Sequence, residues 1–211
     1  MLRTFDDIYE TMPWDAVDAV VFDVGQVLLS YNPQEILDEH VPDRPDLHPI
    51  LLEKIFRSPY WLMRDHGLMT RDEAIEAMIG RDEPLRPYIT RVMHNWVDLK
   101  EVLPEGLKTL QSCKAHGKKV YVLSNYADDA FAVVEHKYDF FNLFDAKFVS
   151  GRLKLMKPSE QIFQYVISAT GHEPSRVLFL DDTPGNGALF CGWQSLCVSH
   201  PGKLTEFFGL E

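Results

Sequence analysis

The run Val20-Val21-Phe22-Asp23 constrains this chain more than any other, because it passes from an uninterrupted apolar strand to a carboxylate, and Val24-Gly25-Gln26 then turns the backbone. A strand without polar alternation is buried on both faces, the pattern of a parallel sheet covered by helices. Such sheets bind ligands just beyond the carboxyl ends of their strands, and Asp23 stands there. Alone, an Asp at a strand end is often only a turn former.

Two later segments repeat the pattern. Lys119-Val120-Tyr121-Val122-Leu123 runs into Ser124-Asn125, and Arg176-Val177-Leu178-Phe179-Leu180 runs into Asp181-Asp182-Thr183-Pro184. Between them stands Lys157-Pro158. Proline suits the first helical position, and apolar spacing continues to Ala169 with Gly171 just beyond, which predicts a helix opening at this point with Lys157 at its start. A cation there opposes the helix dipole and calls for an anion.

The remaining pattern divides the chain. From Pro33 to about Lys100 the sequence is helical, with apolar-periodic pieces at Gln34–Leu37, Ile50–Phe56 and Ile89–Trp96, and with Thr70-Arg71-Asp72-Glu73 as a capping box opening a helix through Met78. A helix from Glu105 to His116, closed by Gly117, returns the chain to the strand before Ser124. Ala146–Ser150 and Ser195–Val198 add short strands. The expected fold is α/β: a doubly wound parallel sheet of about five strands from residues 1–30 and 100–211, with residues 31–99 inserted as a helical cap.

An Asp, a Ser-Asn pair, a Lys and an acidic pair, in that chain order, resemble the motifs of the haloacid dehalogenase-like superfamily of phosphatases and related hydrolases. Within it, Phe22-Asp23-Val24-Gly25-Gln26-Val27 with Leu123-Ser124-Asn125, Lys157-Pro158 and Leu180-Asp181-Asp182 looks most like the α-D-glucose-1-phosphate phosphatase branch, near the phosphatase domain of soluble epoxide hydrolases. The resemblance implies that Asp23 attacks phosphorus to form an aspartyl phosphate. It implies Mg2+ held by the Asp23 carboxylate, the Gly25 carbonyl and the Asp182 carboxylate, with Asp181 and Asn186 behind these ligands. Ser124, the amides of Ser124 and Asn125, and Lys157 would take the phosphate oxygens.

One position departs from the common pattern. Most phosphatases of this superfamily carry a second Asp two residues after the nucleophile, as acid to the leaving group and base to water; here that residue is Gly25. General acid–base help is typically worth ~10²–10⁴ in rate. Its loss implies a preference for leaving groups that depart unprotonated, unless another side chain such as the imidazole of His66 supplies the proton. Tyr60-Trp61-Leu62-Met63-Arg64-Asp65-His66-Gly67 is the cap segment expected to select the substrate.

Bulk properties are compatible with this reading. A chain of 211 residues with 45% apolar content can build one core, while a formal charge of −11 without a Lys/Arg cluster argues against a nucleic-acid or anionic-membrane surface. No stretch is long enough to span a bilayer. Cys113, Cys191 and Cys197 are odd in number and lack metal-ligand spacing, which points to a reducing, cytoplasmic setting. The expected activity is Mg2+-dependent hydrolysis of a small phosphate ester, such as a sugar phosphate. The alternatives are a metal-independent 2-haloacid dehalogenase and a catalytically silent phosphate-ester-binding protein.

Overall fold

A computed structural model describes residues 4–184 and 188–210. Strands β1 (Ala19–Phe22), β2 (Lys119–Ser124), β3 (Ala146–Val149), β4 (Val177–Asp181) and β5 (Gln194–Cys197) form one sheet in the order β3-β2-β1-β4-β5. Every pairing is parallel, and Val20 lies level with Val120 on one side and Leu178 on the other. The apolar runs that end in Asp23, Ser124 and Asp181 are therefore the three central strands, side by side and in register.

Alternation along those strands sorts their side chains onto two buried faces. Val20, Phe22, Val122 and Leu180 join one core, while Val21, Leu123 and Phe179 join the other, where Ile162, Phe163 and Trp193 cover them. This double burial explains why the charged residues of the three central strands, Lys119 and Asp181, stand only at strand ends.

Helices α1 (Pro33–His40), α2 (His48–Leu51), α3 (Pro59–Asp65), α4 (Arg71–Ile79) and α5 (Arg86–Asn95) follow β1 before the chain returns through α6 (Pro104–Ala115). The capping box at α4 forms as the sequence predicts: Thr70 Oγ1 accepts the Glu73 amide, and Glu73 accepts the Thr70 amide. The two chain segments at the base of this helical stretch pair with each other. Leu29 and Val102 form an antiparallel bridge, Ser30 N donates to the Glu101 carbonyl at 2.8 Å, and Glu101 N donates to Ser30 Oγ at 3.0 Å.

The rest of the chain adds α7 (Asp128–Lys137), α8 (Ser150–Leu153), α9 (Glu160–Thr170) and α10 (Gly202–Phe208). One expectation needs correction here. Lys157 does not start a helix: α9 opens at Glu160, capped by Ser159, whose hydroxyl accepts the Gln161 amide. Serine satisfies an unpaired helical N–H as lysine cannot, so the boundary falls two residues later. Lys157 lies instead in the preceding turn.

The turn after Asp23 is fixed by its own amides, since Leu28 N and Leu29 N both donate to the Val24 carbonyl. The first turn of α6 packs directly on it. A Cβ built on Gly106 would stand 1.9 Å from the Val27 carbonyl oxygen, so the contact requires glycine. Gly106→Ala is therefore expected to destabilise the fold by about 1–3 kcal/mol, the usual range for overpacking, as read by denaturant titration. Unchanged stability would show that α6 and the turn are free to move apart.

Candidate active site

Parallel register puts Asp23, Ser124 and Asp181 at one edge of the sheet. One carboxylate oxygen each of Asp23, Asp181 and Asp182 lies within 4.8 Å of the other two. Three carboxylates so close repel one another, and the ammonium of Lys157 lies among them. Its Nζ donates to Asp181 Oδ2 at 2.6 Å and stands 3.1 Å from Asp23 Oδ2. Burial alone would lower the lysine pKa, but Asp23 and Asp181 outweigh it and hold the group above its usual range.

Asn125 explains how the lysine is placed. Its Nδ2 donates to the Lys157 carbonyl and its Oδ1 accepts the Lys157 amide, each at 2.9 Å. The side chain after β2 thus grips the backbone of the lysine turn at both of its polar atoms. Asp181 is held as well, because its Oδ1 accepts the Thr183 amide at 2.8 Å, an Asx-type turn. Burial, then the charge of Asp23, raise the carboxyls of Asp181 and Asp182 above the ordinary range.

Above these groups lies a cavity of about 240 Å³. Asp23, Gly25, Ser124, Asn125 and Asp182 line it from the strand ends, while Asp181 and Lys157 lie behind them. Of the sequence-derived set the structure therefore brings five residues to the cavity and two to its back. Asn186 lies outside the described residues. Gly25 has open space where a Cβ would point and no left-handed φ, so nothing steric reserves the position for glycine.

The other walls were less legible in the sequence. Tyr31, Trp61, Trp96 and Tyr126 contribute aromatic faces, joined by Asp65 and Lys100. The rings pack on one another, with Trp61 and Trp96 centred 4.9 Å apart and Trp96 stacked on Tyr126 at 5.6 Å. Lys100 is buried, stands 4.0 Å above the Tyr31 ring and donates to the Ser30 carbonyl at 2.8 Å. Burial drives its pKa down to about 7, opposed by Asp23 and Asp65. In the Tyr60–Gly67 segment only Trp61 and Asp65 reach the cavity. Arg64 is turned into an ion pair with Asp129 at 2.6 Å, and His66 Nε2 lies 3.0 Å from the Lys154 carbonyl. His66 is therefore not placed to replace the missing acid.

A doubly wound sheet whose central strands end in an Asp, a Ser-Asn pair and an Asp-Asp pair around one lysine is the frame of a hydrolase. A family model for haloacid dehalogenase-like hydrolase matches residues 17–190, and the chain belongs to that family. Among curated proteins, it is 29% identical over 208 residues to the drimenol cyclase drtB of Aspergillus calidoustus, covering 92% of this chain but only 37% of that one. The chain thus spans little more than a third of that relative. It is 22% identical over 164 residues to the sesquiterpene phosphatase astK of Aspergillus oryzae, covering 78% of this chain and 80% of the relative. Among solved structures, the HAD family enzyme BT-2542 of Bacteroides thetaiotaomicron, in complex with magnesium and inorganic phosphate, superposes with a TM-score of 0.63 at 20% identity, over 86% of this chain and 93% of that one. The L-2-haloacid dehalogenase of Xanthobacter autotrophicus with covalently bound chloropropionic acid gives a TM-score of 0.63 at 19% identity, over 85% and 76%. These two structures share the fold.

Removing the lysine leaves two buried carboxylates without a counter-charge. Lys157→Ala is expected to cost about 3–5 kcal/mol of stability at pH 8, as for other broken buried pairs. Asp181 already has a raised pKa, so in the variant it sheds its charge by taking up a proton as pH falls, and the loss at pH 5 should be smaller. Denaturant titrations at both pH values check this, and an equal loss at the two would show that the carboxylates do not depend on the ammonium.

Proposed function

We propose that this chain is a Mg2+-dependent phosphomonoesterase acting on a small phosphorylated metabolite through an aspartyl phosphate on Asp23. The observation that carries the reading is the ratio of charges at the strand ends: three carboxylates within 4.8 Å of one another share one lysine. That is a surplus of negative charge facing a cavity meant, on this reading, for an anion, and a divalent cation resolves both difficulties at once. The donor set fits Mg2+, with Asp23 and Asp182 carboxylates and the Gly25 carbonyl as oxygen ligands that leave room for water. When bound, the ion neutralises phosphate charge. A metal-free dehalogenase gains nothing from the Asp181-Asp182 pair, and Asp23 lines the cavity open to a substrate.

The protein groups then have distinct tasks. Asp23 attacks phosphorus in line with the leaving oxygen. Ser124 and the amides around it orient the phosphoryl oxygens. Lys157 holds Asp23 in place, and Asp181 holds Lys157. Helices of residues 31–99 act as a cap whose rings receive the carbon body of the ester.

A sugar phosphate is one candidate for that body, since aromatic faces stack on sugar rings. Favouring an ester with a hydrocarbon body, such as a sesquiterpenyl phosphate, are the four aromatic walls and the likeness to a sesquiterpene phosphatase. Phosphate release measured across sugar 1-phosphates, alkyl and terpenyl phosphates, with and without Mg2+, decides the substrate class. Asp23→Asn should abolish release while leaving the fold intact. Asp182→Ala should remove the response to Mg2+ together with most activity, whereas Asp181→Ala should weaken apparent metal affinity about 10–100-fold. Release by wild-type protein that is indifferent to chelator would overturn the metal assignment.

A further inference from the structure

Resting on the phosphomonoesterase reading, we infer that Asp65 is the general acid and base of this site, taking the place left empty at Gly25. Asp65 ends α3 and lines the same cavity as Asp23 and Gly25. It is held both by Trp61 of its own helix and from the core side. Ala127 N, just beyond the Ser124-Asn125 motif, donates to Asp65 Oδ1 at 3.1 Å, and the Ser150 hydroxyl donates to the Asp65 carbonyl. Ser150 in turn accepts the Tyr126 amide at 2.9 Å. The carboxyl is therefore fixed against the sheet while its helix belongs to the inserted segment.

The surroundings suit proton transfer. Among the described residues no cation forms an ion pair with Asp65: Arg64 beside it is spent on Asp129, and Lys100 donates to Ser30. The groups that act on it electrostatically are Arg64 and Asp129, and its own charge acts on Lys100, Tyr31 and Tyr126. Burial pushes its pKa up to about 7, against the lowering effects of Arg64, the Ala127 amide and Trp61. The group is thus near half protonation at neutral pH, where a general acid that later serves as base is most effective. Tyr126 lines the same cavity, and its buried hydroxyl has no hydrogen-bond partner.

The proton balance closes over the cycle. As Asp23 attacks phosphorus, the bond to the leaving oxygen breaks and that oxygen takes the proton of the Asp65 carboxyl, giving an alcohol and the Asp65 carboxylate. Water then attacks the aspartyl phosphate, gives one proton to Asp65, and releases inorganic phosphate with Asp23 as carboxylate. Both steps conserve charge and atoms, and Asp65 ends as it began.

The test is the dependence of kcat/KM on leaving-group pKa, measured for a series of aryl and alkyl phosphates with full-length protein and Mg2+. Wild-type protein should show a shallow slope. Asp65→Asn keeps an oxygen for the Ala127 amide but has no proton to give; its alkyl ester rates should fall about 10²–10⁴-fold and its aryl rates by about tenfold or less, so that the slope steepens. With alkyl esters the wild-type rate should also decline as pH rises past about 7, because the acid form is lost, and this decline should be absent from the variant. A steep wild-type slope overturns the inference without any variant. So does a folded Asp65→Asn protein, verified by thermal melting, that keeps the wild-type slope. If wild-type protein releases no phosphate from any ester, the phosphomonoesterase reading fails and this inference with it; release that depends on Asp23 combined with a steep slope fails this inference alone.

Discussion

The ammonium of Lys157 is the contact on which the rest of this site depends. It is buried at the sheet edge where two strand ends would otherwise repel each other, 2.6 Å from Asp181 and 3.1 Å from Asp23. A buried ion pair of this kind is seldom a net source of stability, since desolvation consumes most of the Coulombic gain. What it supplies is position. Asp23 is fixed by a lysine, the lysine by Asp181 and by the Asn125 clamp on its backbone, and Asn125 by β2, which it follows. Three adjacent strands thus end in one electrostatic knot, with the unneutralised charge of Asp182 at its solvent side.

The sheet and its polar ends were legible in the sequence because a parallel strand buried on both faces leaves a continuous apolar run, and the residue that breaks the run is the one that leaves the core. The capping box at Thr70 and Glu73 was equally plain, being local. Near Lys157 the proline suggests a helix start that the structure places two residues later, because the Ser159 hydroxyl is the group that satisfies a helical amide. Roles in the Tyr60–Gly67 segment could not be separated by composition. Arg64, Asp65 and His66 are consecutive, yet one meets Asp129, one faces the cavity and one meets a backbone carbonyl, and only the tertiary packing decides which.

Tyr31 and Lys100 carried no signal at all in the chain's local pattern. They lie about 70 residues apart in sequence, and each is an ordinary surface residue type beside a helix. They meet because the segments Leu29–Ser30 and Glu101–Val102 pair, which sets the lysine over the tyrosine ring. Desolvation then gives both Lys100 and Asp65 a pKa of about 7 in a cavity whose other walls are aromatic. The strand ends give the cavity its carboxylates, and the opposite walls give it aromatic area together with Lys100 and Asp65.

That short antiparallel pairing also bears on how such a chain can diversify. The ends of residues 31–99 are joined at a two-residue clasp before any helix of the segment begins, so the entropy of closing that long excursion is met at its base, and it grows only slowly with added length. Helices can be lengthened, shortened or exchanged beyond the clasp while the strand register and the electrostatic knot beneath it stay as they are. The segment of residues 31–99 is in this sense a head that can be altered without disturbing the strand ends to which the clasp joins it.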